Sequence, residues 1–249
     1  MRIFFVFLCC CLAAGGGAAG EPKPDDASSP SVFLITIDTL RADHVHCYGY
    51  DKIETPAMDL LAEQGIRFTQ AFTPSPITNS SHTSIMTGLL PSSHGVSDFG
   101  VPLAANYPTL AELLKKSGYN TAAFIGAVIL DSKNLAPGLD RGFAFYDNFP
   151  ERTTTKSRWG RLERRGMDVE QRAESWLNMH PAGAHFVWLH LYDPHDPYEP
   201  PAPYSQVYKD RLYDGEIAYA DSALGRFLTY LKTQGWYEGA TIVVVGDHG

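Results

Sequence analysis

Thr241-Ile242-Val243-Val244-Val245-Gly246-Asp247-His248-Gly249 runs from β-branched apolar residues straight into a carboxylate and an imidazole. A short apolar run of this kind reads as a buried strand, so Asp247 and His248 stand where that strand ends. Val32-Phe33-Leu34-Ile35-Thr36-Ile37 has the same character and stops at Asp38. Ligands of open α/β sheets gather outside the carboxyl ends of the strands. Asp38, Asp247 and His248 are therefore expected to converge although most of the chain separates them. Two carboxylates and an imidazole are suited to a divalent cation.

The region between the two strands alternates strand and helix signals. Thr55-Pro56 opens a helix that Gly65 closes, and Ile66-Arg67-Phe68-Thr69 alternates as a strand. Pro108 to Ser117 reads as an amphipathic helix ended by Gly118, and Tyr119 to Ile125 as a strand. Asp168 with Gln171 forms a capping box for a helix reaching Met179. Phe186-Val187-Trp188-Leu189 reads as a buried strand. Ile217, Leu224, Leu228 and Leu231 mark one face of a long helix before the final strand. Alternation of this kind implies an α/β fold, a mostly parallel sheet flanked by helices on both faces. No internal repeat is present.

A length of 249 residues with 44% hydrophobic content suits one large domain. Residues 1–20 resemble a secretory signal: Arg2, the apolar run Ile3 to Ala14, then Ala18-Ala19-Gly20 before Glu21. The apolar run is too short for a comfortable membrane span. Residues 21–31 form a Pro/Asp/Ser-rich linker, and 32–249 the catalytic domain. The final strand has no helix after it, so the domain reads as C-terminally incomplete. Removal of the signal takes away Arg2 alone and moves the net charge from −8 to −9, which argues against a nucleic-acid partner. Cys9, Cys10 and Cys11 fall within the signal. Cys47 is left alone, with no disulfide framework. The bulky Val6, Phe7 and Leu8 do not match a lipoprotein signal, so a secreted or periplasmic protein is expected rather than a lipid-anchored one. Glu151 to Gly166 is rich in basic residues, among them Arg164 and Arg165, and reads as a solvated loop.

The stretch Thr73-Pro74-Ser75-Pro76-Ile77-Thr78-Asn79-Ser80-Ser81-His82-Thr83-Ser84-Ile85-Met86-Thr87-Gly88 is a turn-rich approach to a short helix, with Ser80 or Ser81 expected as an N-cap. A hydroxyl beside a cation at a helix start has another use, because both positive fields favour its alkoxide and attract a tetrahedral oxyanion. His94 and His190 read as structural histidines. Asn79-Ser80-Ser81 is formally a glycosylation acceptor, discounted because a glycan there would block the pocket.

Four blocks in order, Ile37-Asp38-Thr39-Leu40-Arg41-Ala42-Asp43, His82 to Gly95, Tyr192-Asp193-Pro194-His195-Asp196-Pro197-Tyr198 and Gly246-Asp247-His248-Gly249, resemble the sulfatase family of the alkaline-phosphatase superfamily. The resemblance implies an alkaline-phosphatase-like α/β fold and hydrolysis of sulfate or phosphate esters. It implies that Asp38, Asp247 and His248, with the Thr78 oxygen, hold one divalent cation. This mixed donor set does not distinguish calcium, magnesium, manganese and zinc. Thr78 takes the nucleophile position, His195 and His82 lie near the bound oxyanion, and Asn79 belongs to the substrate-binding set.

Two departures from the family pattern bear on the reaction. Thr39 stands where the family has a second aspartate. Thr78, Ser80 and His82 replace the Cys/Ser, Pro and Arg that signal conversion to formylglycine. Threonine is a secondary alcohol, and its oxidation could give only a ketone, so the expected reaction is direct attack by Thr78. That resembles nucleotide pyrophosphatase/phosphodiesterases and lipoteichoic acid synthase-like phosphotransferases, and it favours phosphate ester or diester cleavage. A true sulfuric-ester hydrolase and a silent binder of anionic glycans are the alternatives. The substrate is a small-molecule or glycan/polymer ester whose alcohol half has no transferable code, and the oligomeric state is not encoded legibly.

Overall fold

The structure, a computed structural model, describes residues 29–150 and 163–249. A five-stranded parallel sheet has the order β3-β2-β4-β1-β5, with β1 Val32–Ile37, β2 Asn120–Ile125, β3 Phe145–Asp147, β4 His185–Leu191 and β5 Thr241–Gly246. The helices are α1 Pro56–Gln64, α2 Thr78–Thr87, α3 Pro91–His94, α4 Leu110–Lys116, α5 Gly166–Met179, α6 Tyr204–Val207 and α7 Leu212–Thr233. Among the described residues no helix is long and apolar enough to cross a membrane.

Buried parallel strands carry apolar residues on both faces, and the two faces have separate cores. Phe33, Ile35 and Ile37 of β1 join Val187, Leu189 and Leu191 of β4 beneath α5 and α7. Leu34, Phe186 and Trp188 point the other way, with Met86 of α2 and Ala111 of α4. Side chains alternate along a strand. Thr36 and Asp38 therefore continue the Leu34 face of β1, and His190 continues the Trp188 face of β4. β4 is central and buried along its whole length, which places His190 inside the sheet layer rather than at a surface turn.

The expected strands at 32–37, 119–125, 186–189 and 241–245 are present, as are the helices after Thr55-Pro56, within 108–117 and through Ile217–Leu231. Ile66-Arg67-Phe68-Thr69 is not a strand. It forms no ladder, and Ile66 and Phe68 are exposed, because alternation without a partner strand cannot satisfy a backbone ladder. β3 had no clear signal, being three residues long.

Capping differs from expectation at two helices. α5 begins two residues before Asp168, and the Asp193 carboxylate accepts the Gly166 N–H at its first residue. At α1, Thr55 occupies the N-cap position, but the capping carboxylate comes from Asp221 of α7, which accepts the N–H groups of Ala57 (3.0 Å) and Met58 (2.9 Å). Thr109 and Glu112 form a true capping box on α4. Of the basic segment, 151–162 lies outside the described residues. Arg164 and Arg165 are both held by partners: Arg164 donates to the carbonyls of Ile125, Asp147 and Asn148, tying β2 to β3, and the partly exposed Arg165 pairs with Glu216.

Gly126 follows β2 directly beside the end of β4. A Cβ there would lie 2.6 Å from the His190 carbonyl oxygen and 3.1 Å from the Tyr192 amide, both backbone atoms with little room to yield. Gly126→Ala is expected to displace the end of β4 and lower unfolding free energy by about 1–3 kcal/mol, read as a lower denaturant midpoint with an unchanged slope.

Candidate active site and metal centre

β1 and β5 are neighbours in register, Ile37 opposite Gly246, so the residues that follow them emerge side by side. Asp38 and Asp247 are both fully buried there. His248 Nε2 lies 3.5 Å from Asp247 Oδ2 and 3.8 Å from Asp38 Oδ1. The expected convergence is present, and one donor atom from each of the three residues lies within 4.8 Å of the others. Asp247 Oδ1 accepts the amides of Thr39 (3.0 Å) and His248 (2.7 Å). Asp247 Oδ2 and both Asp38 oxygens are buried with no hydrogen-bond partner among the described residues. Buried carboxylate oxygens normally find partners, and a cation would satisfy these three at once.

Electrostatics point the same way. Burial, then the neighbouring Asp38 charge, pushes the Asp247 carboxyl up to about 8. Burial pulls Asp38 upward too, but its contact with His190 more than reverses this and leaves it below its ordinary value. Burial lowers the His248 imidazole. The site holds neutral imidazole and one carboxylate that repels a second, which suits a divalent cation.

Thr78 is the first residue of α2 and is buried, with Oγ1 3.2 Å from His248 Nε2. The first amides of an α-helix have no intrahelical acceptor, so the α2 start offers donors beside the threonine oxygen. The N-cap position is Ile77, not a serine. Ser81 instead donates through Oγ to the Asp247 carbonyl at 2.6 Å, locking α2 to the end of β5. Ser80 Oγ is buried without a partner among the described residues.

The remaining nominated residues divide by location. His195 is half-buried, stacks on Tyr192 with ring centroids 4.5 Å apart, and acts electrostatically on Asp38 and His248. Asn79 donates to the Leu135 carbonyl and has a buried Oδ1 without a partner. At 1% exposure it is inaccessible to a glycosyl carrier. His82 faces inward and is fully buried. Its Nδ1 meets the Thr78 carbonyl at 2.8 Å and its Nε2 meets Thr36 Oγ1 at 2.9 Å. Trp188 Nε1 donates to the same Thr36 oxygen. Burial depresses the His82 imidazole to about 3, so it is a neutral strut from β1 to the first turn of α2. Position 82 therefore offers no cationic side chain.

Thr39, the second departure, has a structural role. Its φ of 51° is left-handed, costly for a β-branched residue by about 1–2 kcal/mol. Three hydrogen bonds hold it: its amide to Asp247 Oδ1 (3.0 Å), its hydroxyl to the Pro194 carbonyl (2.8 Å), and its carbonyl accepting from Tyr213 (2.6 Å). It links the β1, β5 and His195 loops without offering a carboxylate.

His190, expected to be structural, lies at the end of β4 against Asp38. It is fully buried with Nε2 3.3 Å from Asp38 Oδ2.

A family model described as Sulfatase matches residues 30–249. An arylsulfatase of Clostridium perfringens is 25% identical, over 88% of this chain and 63% of its own length. Among solved structures, the phosphonate monoester hydrolase of Agrobacterium radiobacter has a TM-score of 0.73 at 21% identity, covering 88% of this chain and 62% of that one. The putative sulfatase yidJ of Bacteroides fragilis has a TM-score of 0.73 at 23% identity, covering 94% and 64%. Both structures share the fold, and this chain spans less than two thirds of the length of all three proteins. With its sheet, its convergent strand ends and a family match across nearly all of the described residues, the chain belongs to the sulfatase family.

Proposed function

We propose that the protein is a secreted, cation-dependent hydrolase in which Thr78 attacks a phosphate ester or diester directly. The observation that carries this reading is the buried Thr78 hydroxyl at the start of α2, against His248 and beside unpartnered carboxylate oxygens. Asp38, Asp247 and His248 would hold the cation with the Thr78 oxygen. When bound, it supplies positive charge that acidifies the Thr78 hydroxyl and offsets the charge of the transferring group.

Thr78 gives up its hydroxyl proton to solvent, and Oγ1 forms a bond to phosphorus as the bond to the leaving oxygen breaks in line. The α2 amides bind the equatorial oxygens. His195 protonates the departing alkoxide. Water then attacks the phosphothreonine, passing its proton to His195, and the Thr78 oxygen regains a proton as it leaves. His82 holds the Thr78 carbonyl and so aims the first turn of α2.

Transfer of a sulfuryl group is a second reading, favoured by the arylsulfatase name of the Clostridium perfringens relative. Aryl sulfate, aryl phosphate and bis-aryl phosphodiester assayed side by side on the full-length protein separate the two. We expect phosphoester turnover to dominate, Thr78→Ala to lose it by at least about a thousandfold, and Thr78→Ser to retain part of it. Dominant sulfate turnover abolished by Thr78→Ala would move the reaction to sulfur. Quenched intact-mass analysis should show a phosphoryl group on the Thr78 peptide.

Asp247 supplies the pH dependence. Its folded value of about 8 exceeds its ordinary 3.8, so its stabilising contribution without cation is full below pH 3.8 and lost as pH rises through about 8. A cation bound only by the folded state, at a hundred times its Kd, adds about 2.7 kcal/mol. Melting curves should therefore show a cation-induced rise that grows from pH 5 to pH 9, and titration calorimetry near pH 6 in buffers of different ionisation enthalpy should show proton release. No proton release, with no rise in melting temperature for any divalent ion, would favour a silent anion-binding protein.

A further inference from the structure

His195 lies in the turn that follows β4, and that turn is held at four points on either side of the histidine. Before it, the Asp193 carboxylate accepts the Gly166 amide at the start of α5 (3.1 and 3.0 Å), and the Pro194 carbonyl accepts from Thr39 Oγ1 (2.8 Å). After it, the Glu199 carbonyl accepts from Arg165 Nη2 (2.7 Å), and the Glu199 amide donates to Glu216 Oε1 of α7 (2.7 Å). The close approach at the start of α5 needs glycine, since a Cβ on Gly166 would lie 2.7 Å from Asp193 Oδ2.

Arg165 joins these points into one cluster. It occupies the N-cap position of α5, and its Nη1 lies 3.2 and 3.1 Å from the two Glu216 oxygens and 3.8 Å from Asp193 Oδ1. Asp193 and Glu216 are both buried, so one guanidinium serves two buried carboxylates. A buried ion pair adds little net stability, because desolvation offsets its attraction. The planar fork supplies direction instead: it holds a carboxylate and a carbonyl at fixed angles, which a lysine ammonium does not.

His195 borders a small recess together with Arg165, Asp193 and Tyr192. Its Nδ1 lies 2.7 Å from the Asp196 carbonyl, an oxygen that only accepts, so a proton exchanged with a leaving group is the one on Nε2. That nitrogen has to be aimed, and a turn is a less exact platform than a helix or strand unless other groups brace it.

We infer that Arg165 and Glu216 are positioning residues: by clamping Asp193 and Glu199 on either side of His195, they hold its imidazole where it passes a proton to the departing alkoxide. They act through the turn and not on the substrate. This role rests on His195 being the acid of the proposed function. Its effect is selective, because proton donation matters most when the leaving oxygen is strongly basic. A clamp that merely stabilised the fold would affect all substrates alike.

The test uses a series of aryl esters, from nitrophenyl to the more basic methoxyphenyl leaving group, of the phosphoryl or sulfuryl group that the full-length protein turns over. The readout is kcat/KM, which covers the steps up to leaving-group departure and excludes the later attack of water common to the series. His195→Ala should lose about tenfold or more on the methoxyphenyl ester beyond its loss on the nitrophenyl ester. Arg165→Lys keeps a cation beside Glu216 but not the fork that reaches Glu199, and should show the same leaning, about threefold or more. Glu216→Gln keeps an acceptor for the Glu199 amide and removes the charge that holds Arg165; it should lean the same way and decides the matter if Arg165→Lys does not fold. Equal losses across the series, or none, in the folded variants would overturn the clamp, while a leaning in His195→Ala would leave the proposed function standing. If His195→Ala loses equally across the series, or no ester is turned over, both readings fall together.

Discussion

Two buried carboxylates in contact need a counter-charge, and the rest of this molecule is arranged around that need. Asp38 and Asp247 are adjacent because β1 and β5 run parallel in register, and both side chains are fully buried. Burial and then repulsion from Asp38 raise the Asp247 carboxyl, and relief from the imidazoles lowers Asp38 against its own burial. An isolated buried charge is among the most costly features a fold can contain. Such a pair persists where a cation, substrate charge or proton completes it.

The supports of this pair are as specific as the pair itself. Ser81 fixes the Asp247 backbone to α2, and the Thr39 amide fixes which Asp247 oxygen is used locally and which remains for a ligand. His82 connects Thr36, next to Asp38 on the same strand face, with the carbonyl of Thr78. Thr78, the ends of β1 and β5 and the His195 loop thus share one hydrogen-bonded framework. Catalysis by positioning depends on such a framework, since small displacements of a reacting atom forfeit much of the rate. The strained backbone of Thr39 belongs to this framework, held by bonds to three different parts of the chain.

Replacing the formylglycine signal changed more than one residue's chemistry. With an arginine absent, position 82 could be buried, and a neutral histidine now fills space beneath Thr78 between α2 and Trp188. The donors beside Thr78 are then the first amides of α2 rather than a cationic side chain at position 82. That arrangement accords with direct attack by an alcohol, which requires an acidified hydroxyl more than it requires a guanidinium clamp.

Asp38, Asp247 and His248 could be located from the amino-acid sequence because each ends an apolar β-branched run, and strand ends are where parallel sheets build sites. The sheet type and most helices were equally legible, since periodicity and punctuation are local properties, whereas the expected N-cap at Ser80 or Ser81 falls inside α2, which starts at Thr78. His82 and His190 were not. Both are histidines in ordered segments, and nothing local separates a ring with two satisfied nitrogens from a ring with none. That difference is set by which neighbours the tertiary fold brings within hydrogen-bond distance, Thr36 for one and Asp38 for the other. Ile66-Arg67-Phe68-Thr69 shows the same limit, because alternation describes a face but a strand exists only when a second chain segment arrives to pair with it. Sequence alone determined which chemical groups stand at the strand ends; tertiary structure decided which of them are left unsatisfied, because satisfaction is a property of pairs and not of residues.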